Sequence, residues 1–308
     1  MTLFTPDEVM ERLQHGESLV GAELSGINLA GCTLNDANFS QAYLRVADLS
    51  GASCQGANFA RANLMLAKLS QTNFVCANLS AAELNGASLD SANLRSIAAE
   101  KTIFFGASFH QIEAVEAKFR EVDFREVKAE RGNFTRAQFL HCNLTQVQFE
   151  ECNFSESIFR DSVLEQANLS NSRWINSNLE KANLYRALFL GGYFQDCSFA
   201  NANLCQVDWR NVQMKEIDFL SSDCASMAFT NSKLENCSFL SAQLESARFD
   251  RATLVNSSFQ DANLERTIWQ DVEFINCNVL GAEFTDAQGL TEEQKLWLRV
   301  KGALNVPD

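Results

Sequence analysis

Proline is scarce in this sequence: the two that occur, Pro6 and Pro307, lie close to the ends of the 308-residue chain. The rest of the chain can therefore donate every backbone N–H to a hydrogen-bonded ladder. The sequence has no run of about 18 apolar residues, so it predicts no membrane-spanning helix. Its first residues, MTLFTPDEVMERLQHGE, lack the basic and apolar regions of a secretory signal. We therefore expect a cytoplasmic protein without a membrane partner.

The sequence also has few basic residues, few histidines and no closely spaced pair of cysteines. Lys and Arg number 25 against 39 Asp and Glu, and the net charge of −14 disfavours direct binding of nucleic acid or anionic lipid. There are three histidines, and none of the ten cysteines has C-x-x-C spacing. No Gly-rich phosphate loop occurs. The sequence therefore predicts no catalytic residues, no metal site and no cofactor, and we expect a protein that is not an enzyme.

What the sequence has in abundance is a period of five. The stretch GANFARANLMLAKLSQTNFVCANL, residues 56–79, has Leu or Phe at every fifth position. These large residues, which we call centres, recur from Leu24 to Phe284, and Leu, Phe or Trp fills 46 of the 53 centres. The residue two positions before each centre is usually small, and no charged residue occupies either set of positions. Neither a helix nor a plain strand has a period of five.

The pattern predicts two inward and three outward residues in each unit of five. The small residue and the centre lie two apart, so they point to the same side of an extended segment. The remaining residues turn the chain, and four turns close a square coil of roughly 20 residues that pairs with the next coil at about 4.8 Å. The 53 units then predict about 13 coils. Eight of the ten cysteines fall at inward positions, which predicts buried free thiols.

The repeat resembles the pentapeptide-repeat proteins, whose motif is A-[DN]-L-x-x. Matching triplets begin at Ala57, Ala62, Ala77 and Ala167, among others. The resemblance extends over about 265 of the 308 residues. It implies an all-β fold, the right-handed quadrilateral parallel β-helix, in a bacterial protein.

Two short helices are predicted at the ends, because a solenoid must cover its open edges. Thr5 is an N-cap residue followed by proline and two acids, which predicts a helix to about Gln14 that Gly16 ends. The residues LTEEQ at 290–294 predict a second helix, which Gly302 ends. The predicted segments are a capping helix at 1–18, a pentapeptide-repeat β-helix at 19–286, and a C-terminal helix and tail at 287–308.

The predicted C-terminal helix has an apolar face. Trp297, Val300 and Leu304 are spaced at i, i+3 and i+7 and would share that face. One interpretation is an end cap that covers the last coil. The other is a homodimer contact, because some members of the resembled family dimerise through their C-terminal ends.

The outward residue that follows each centre becomes apolar toward the C-terminus. The residues in this position that we expect to form a protein interface are Leu220, Leu240, Leu280, Val255 and Ile275. The first three belong to one face of the predicted solenoid and the last two to its neighbour. An exposed apolar stripe marks a partner site. Scattered surface leucines are nevertheless normal, and Gln260 interrupts this stripe.

The leading hypothesis is a non-enzymatic scaffold that binds another protein through its side faces or its C-terminal end. The resemblance offers a DNA mimic that binds a type II topoisomerase as an alternative. DNA carries about 35 charges over a rod of roughly 60 Å, whereas these coils carry a net charge of −11, with Arg45 and Arg186 interrupting the most acidic face. The resemblance also admits a secretion-system accessory protein or effector.

Overall fold

The computed structural model describes residues 4–308, so the first three residues of the predicted N-terminal segment lie outside it. The chain divides after Ile158 into two compact units. In the first unit, helix α1 spans Pro6–Gln14. The Thr5 hydroxyl accepts the N–H of Glu8 at 3.3 Å, and the Glu8 carboxylate accepts the N–H of Thr5 at 2.7 Å. This reciprocal capping confirms the predicted first helix.

The coils of the first unit are joined by parallel bridges between residues 20 apart. Its short strands are β1 Ala98–Glu100, β2 Lys118–Arg120, β3 Lys128–Glu130, β4 Gln138–Leu140 and β5 Gln148–Glu150. They form one parallel sheet in the order β1-β2-β4 and a second in the order β3-β5. In every strand the middle residue is buried and its neighbours point outward, as the period of five predicts.

The second unit contains one six-stranded parallel sheet and helix α2. The strands are β6 Arg173–Ile175, β7 Tyr193–Gln195, β8 Gln213–Lys215, β9 Lys233–Glu235, β10 Thr253–Val255 and β11 Glu273–Ile275, stacked in chain order. Helix α2 spans Glu292–Val300. Thr291 and Gln294 form its capping box, as Thr5 and Glu8 do for α1. The predicted second helix is therefore confirmed, and Gly302 follows its C-cap residue Lys301 with a positive φ, as Gly16 follows His15 after α1.

The parallel β-solenoid with a short helix at each end is confirmed. The coil count differs slightly from the predicted 13. In the second unit the C-terminal tail extends one ladder. There Leu304 forms a parallel bridge with Glu283, beyond the last repeat. The three-segment division at 1–18, 19–286 and 287–308 stays a prediction.

The interior is built from the two inward residues of each unit. Phe199 is fully buried, stacks on Phe219 at 5.5 Å between ring centroids, and meets the edge of Trp209 at 5.3 Å. Inward hydroxyls find partners on the backbone of the preceding coil or of their own coil. The Thr72 hydroxyl donates to the Leu49 carbonyl at 2.7 Å, and the Ser222 hydroxyl donates to the Phe219 carbonyl at 2.7 Å. Close packing therefore leaves each centre surrounded by other centres and by small side chains.

A recurring backbone conformation makes the corners. The residue two positions after nearly every centre has a positive φ, even where it is not glycine. At Val46 φ is 60°, and its N–H donates to the Met65 carbonyl at 2.9 Å. This region is unfavourable for a β-branched residue, so the ladder hydrogen bond and the packed centres hold Val46 in a strained conformation.

Phe199→Ala should lower the free energy of unfolding by about 3–5 kcal/mol, because it empties a stacked core position. Urea unfolding of the variant and wild type measures this difference. Phe105→Ala is the matched control, since Phe105 follows a centre, is only half-buried and packs under Arg125. The control should lower the free energy of unfolding by less than Phe199→Ala does. A Phe199→Ala cost below about 1 kcal/mol would contradict the stacked core.

Val46→Gly should raise the free energy of unfolding by about 0.5–1 kcal/mol, because glycine adopts positive φ without strain. Gly51→Val is the reciprocal change at an equivalent corner, where φ is 65° and an added Cβ would meet no atom within 4 Å. It should destabilise the protein through the backbone alone. Thermal and urea unfolding of both variants measure these two changes in stability. A destabilised Val46→Gly variant would show that the corner is not strained.

Candidate protein interface

Three of the predicted interface residues occupy one outward column of the second unit. Leu220 and Leu280 are exposed by 37% and 56%, whereas Leu240 is half-buried. Gln260 stands between Leu240 and Leu280, and its amide donates to the Asp261 carboxylate at 3.2 Å. The apolar column is therefore interrupted, and its most exposed member is Leu280.

The other two predicted residues lie side by side on adjacent strands. Val255 of β10 and Ile275 of β11 are partners in the parallel register. Ile275 is 42% exposed and Val255 is half-buried. The apolar character of this face therefore increases toward its last coil, near helix α2.

A groove separates the last coil from helix α2. Its volume is about 560 Å³, and it is lined by Val272, Glu273, Phe274, Ile275, Glu293, Gln294 and Trp297. The rings of two lining residues, Phe274 and Trp297, are 5.4 Å apart. The Gln294 side chain donates to the Val272 carbonyl at 2.8 Å and fastens the helix to the coil. The groove is therefore lined by apolar side chains together with two exposed carboxylates, Glu273 and Glu293.

Helix α2 does not present the face that the sequence predicted. Trp297 is half-buried and Val300 is 75% exposed. Leu304 lies beyond the helix, in a bridge with Glu283, so its placement on the same helical face was wrong. The helix instead buries Leu298 completely. The apolar run LWL at 296–298 points in three directions around a helix, so spacing alone could not identify the buried residue.

The tail folds back over the last coil. Gly302 adopts φ 87°, and a Cβ added there would lie 2.9 Å from the Leu280 side chain. The N–H of Gly281 donates to the Gly302 carbonyl at 2.9 Å. The positive φ favours glycine at position 302. We use the name C-terminal apolar cluster for the exposed residues of the last coil, helix and tail: Ile275, Leu280, Leu296, Val300 and Leu304.

Charged groups near the cluster pair with one another. Lys295 donates to the Glu292 carboxylate at 2.7 Å and to the Asp308 carbonyl at 2.8 Å. The hydrogen bond and the charge of Lys295 lower the pKa of Glu292. Arg299 donates to the Pro307 carbonyl at 2.7 Å. These contacts hold the tail against α2. They also provide hydrogen-bond acceptors for Lys295 and Arg299, which lie beside the exposed apolar side chains.

The cysteines are free thiols, and most lie at inward positions. Burial raises the pKa of Cys142, Cys152 and Cys237 to about 12. Within residues 4–308, no group of three or more His, Cys, Asp or Glu side chains could hold a metal ion. Within the same residues no helix is long and apolar enough to cross a membrane. The buried thiols behave as small apolar side chains of the interior.

The thiols predict a steep loss of stability in alkali. The pKa of each buried thiol is higher in the folded protein than in the unfolded chain. The stability that the protonated thiols contribute is therefore complete below about pH 8.5 and is lost as the pH rises toward 12. Each buried thiol should therefore lower the free energy of unfolding by about 1.4 kcal/mol per pH unit within that window.

Replacing Cys142 and Cys237 together with alanine should reduce this slope by about 2.7 kcal/mol per pH unit, whatever the change at neutral pH. Urea unfolding between about pH 9 and 11 measures it. Ser232→Ala is the control, since Ser232 is a buried inward residue that donates to the Trp209 carbonyl and carries no ionisable group. An unchanged slope in the cysteine variant would contradict the burial of these thiols.

The parallel ladder of five-residue units defines the class of this molecule, a repeat protein with a β-solenoid fold. The chain belongs to the pentapeptide repeat family. Eight copies of the family's repeat pattern, Pentapeptide repeats, match it and together cover well over half of its length. The matched residues are 22–59, 44–79, 62–97, 72–111, 117–156, 157–189, 197–236 and 222–261.

Solved structures of other pentapeptide repeat proteins are similar to this chain. HetL, involved in heterocyst differentiation regulation in the cyanobacterium Nostoc sp. strain PCC 7120, is 17% identical, with 92% of this chain and 99% of HetL covered and a TM-score of 0.22. Rfr23 from the cyanobacterium Cyanothece 51142 is 20% identical. The match covers 49% of this chain and 89% of Rfr23, with a TM-score of 0.19. QnrB1, a plasmid-mediated fluoroquinolone resistance protein, is 16% identical. The match covers 57% of this chain and 91% of QnrB1, with a TM-score of 0.28. No curated protein matches the sequence significantly. These values are low, so family membership rests on the repeat matches.

Proposed function

We propose that this protein is a non-enzymatic scaffold that binds a partner protein through the C-terminal apolar cluster. The observation that supports it most is the concentration of exposed apolar side chains at one end of the second unit. Val300 and Leu296 are 75% and 63% exposed, and Leu280 and Leu304 are 56% and 53% exposed. A concentration of exposed apolar side chains of this kind is typical of a protein-binding site.

The groove beside the cluster suggests how the partner would bind. Phe274 and Trp297 line it, and their rings offer an apolar contact to a side chain of the partner. Such pockets commonly hold the residues that contribute most to binding. Glu273 and Glu293 line the same groove and are exposed. We therefore expect a partner segment that presents an apolar side chain next to basic residues.

The outward leucines extend the proposed surface along the second unit. Leu220 would contribute to the edge of the interface, and Leu240 and Val255 less, because both are half-buried. A homodimer through Trp297, Val300 and Leu304 is the alternative use of the same end. The cytoplasmic location and bacterial origin expected from the sequence remain predictions.

The DNA-mimic alternative has weaker support. Several carboxylates of the coils pair with cations instead of forming an uninterrupted acidic row: Arg131 lies 2.8 Å from Glu151, and Arg136 lies 3.0 Å from Glu116. A mimic of DNA needs a dense row of negative charge. No feature of the described residues favours a secretion-system role over the scaffold.

The double variant Ile275→Lys, Leu280→Lys tests the proposed site. A lysate of the source organism would be passed over immobilised wild type and variant, and bound proteins identified by mass spectrometry. The variant should lose a partner that wild type retains in about 0.5 M salt, because apolar contacts resist screening. Leu66→Lys is the control, since Leu66 is 50% exposed in the first unit.

Retention of the same partners by wild type and the double variant would exclude the cluster as the binding site. Capture of a topoisomerase subunit by all three proteins, with release at high salt, would favour DNA mimicry. Self-association that only the double variant loses would identify the homodimer instead.

A further inference from the structure

One face of the second unit carries a charge pattern that the proposed partner site does not use. We call it the Trp209 face, because Trp209 is one of its buried centres. Parallel bridges align the column before the centres: Leu188, Asp208, Ala228, Arg248 and Ile268. The column after the centres contains Leu190, Arg210, Thr230, Asp250 and Gln270. In a four-sided coil this face lies opposite the face that carries Leu280.

Two ion pairs on this face run in opposite directions. Arg210 donates from Nε and Nη2 to the Asp208 carboxylate at 2.6–2.9 Å. Two levels further on, Arg248 donates from Nε to the Asp250 carboxylate at 2.9 Å. Asp comes before its centre in the first pair and after it in the second. The two pairs are separated by about 9.6 Å along the column.

A shallow depression lies between the two ion pairs. The level that separates them presents Ala228 and Thr230, whose side chains are short. The depression has a volume of about 560 Å³, and the charged pairs on either side contribute to its lining. Small side chains at the middle of a face allow another backbone to approach closely, while the arginines extend on both sides.

The charges of this pattern invert about its middle level. Reversing the order of the levels exchanges Asp208 with Arg248, and Arg210 with Asp250. The same reversal leaves the level of Ala228 in place. At the outer levels it exchanges the two leucines, of which Leu188 is 36% exposed, with Ile268 and Gln270. A face whose charges invert in this way is complementary to a second copy of itself, as a two-fold dimer interface requires.

We propose that the Trp209 face binds the Trp209 face of a second copy of this chain. The two-fold axis lies in the interface, across the columns, so that the solenoids run antiparallel. Asp208 then faces the partner's Arg248, and Arg210 faces the partner's Asp250. Ala228 faces the partner's Ala228 at the centre. Two clusters form, one on either side of the Ala228 level, each with two aspartates and two arginines from the two chains, and no like charges face one another.

The ion pairs within each chain do not prevent this contact. A guanidinium group has five N–H donors, and the bonds to Asp208 come from Nε and Nη2 of Arg210. Arg210 and Arg248 remain 53% and 55% exposed, whereas their aspartates are 18% and 12% exposed. The arginines can therefore reach across to a second chain without leaving their own. Isolated surface pairs contribute little, but a closed network contributes more.

Charge-swapped variants test the proposal. Asp208→Lys with Asp250→Lys makes an all-basic face, and Arg210→Glu with Arg248→Glu makes an all-acidic face. Wild type should associate in sedimentation velocity at low salt, with at least a tenfold weaker dissociation constant in about 0.5 M NaCl. Each variant alone should be monomeric, and an equimolar mixture should form a heterodimer. Association of the mixture also shows that both variants are folded.

A matched control removes the same kind of ion pair elsewhere. Arg125 donates to Asp123 at 2.7 Å in the same Asp-x-Arg arrangement, but in the first unit. Asp123→Lys with Arg125→Glu should leave association unchanged. Wild type that stays monomeric at about 100 μM, or a mixture of the swapped variants that does not associate, would overturn the proposal.

Oxidative cross-linking tests the orientation of the two copies. In the proposed arrangement Ala228→Cys lies opposite itself, so a disulfide should join two chains under mild oxidation. A two-fold axis along the columns would also pair Asp with Arg, but it would place position 228 opposite position 230. Cross-linking of Thr230→Cys mixed with Ala228→Cys, without cross-linking of either alone, would overturn the antiparallel arrangement. Cys76→Ser provides the background for both, because Cys76 is exposed.

Discussion

The structure depends on two inward side chains in every five residues sharing a narrow interior. Every polar group placed there must find a hydrogen-bond partner within the solenoid, because an unpaired buried polar group is costly. The hydroxyls of Thr72 and Ser232 both donate to carbonyls of the preceding coil, at 2.7 and 2.8 Å. Charges cannot be satisfied in this way, which explains why none occupies an inward position of the repeat.

The same constraint assigns function to the outward residues. Backbone groups are used by the ladder and the inward side chains by the interior, so the outward side chains are the ones left to contact a partner. The C-terminal apolar cluster and the Trp209 face both consist of such residues. The first presents exposed apolar side chains such as Leu280, whereas the second presents paired charges around Ala228. These different chemistries suit different partners, another protein and a second copy of this chain.

The period of five was sufficient to predict the interior, because in a coil of constant length the position in the repeat determines burial. Phe199 and Cys237 are buried for that reason. The signals at Thr5 were equally local, and α1 begins and ends where they predict. The helix-face prediction for Leu304 failed because the tail pairs with Glu283. Helical spacing contains no information about such a contact between distant parts of the chain.

The candidate sites were only partly accessible from the sequence. Outward apolar residues such as Ile275 could be identified from the repeat, but their exposure depends on how α2 covers the last coil. The Trp209 face was missed, although its signal is present as Asp-x-Arg at 208–210 and Arg-x-Asp at 248–250. Its meaning emerges only when residues 40 apart are compared on one face, which requires the register of the ladder.

Distances between spin labels on the six-stranded sheet would test the central claim, that each coil adds one level in constant register. Labels at position 273 and at position 173 or 193, in the Cys76→Ser background, lie five and four levels apart. Pulsed electron paramagnetic resonance should give distances that differ by about 4.8 Å, near 24 and 19 Å. Equal distances, or a difference far from one level, would contradict the ladder and the interior that depends on it.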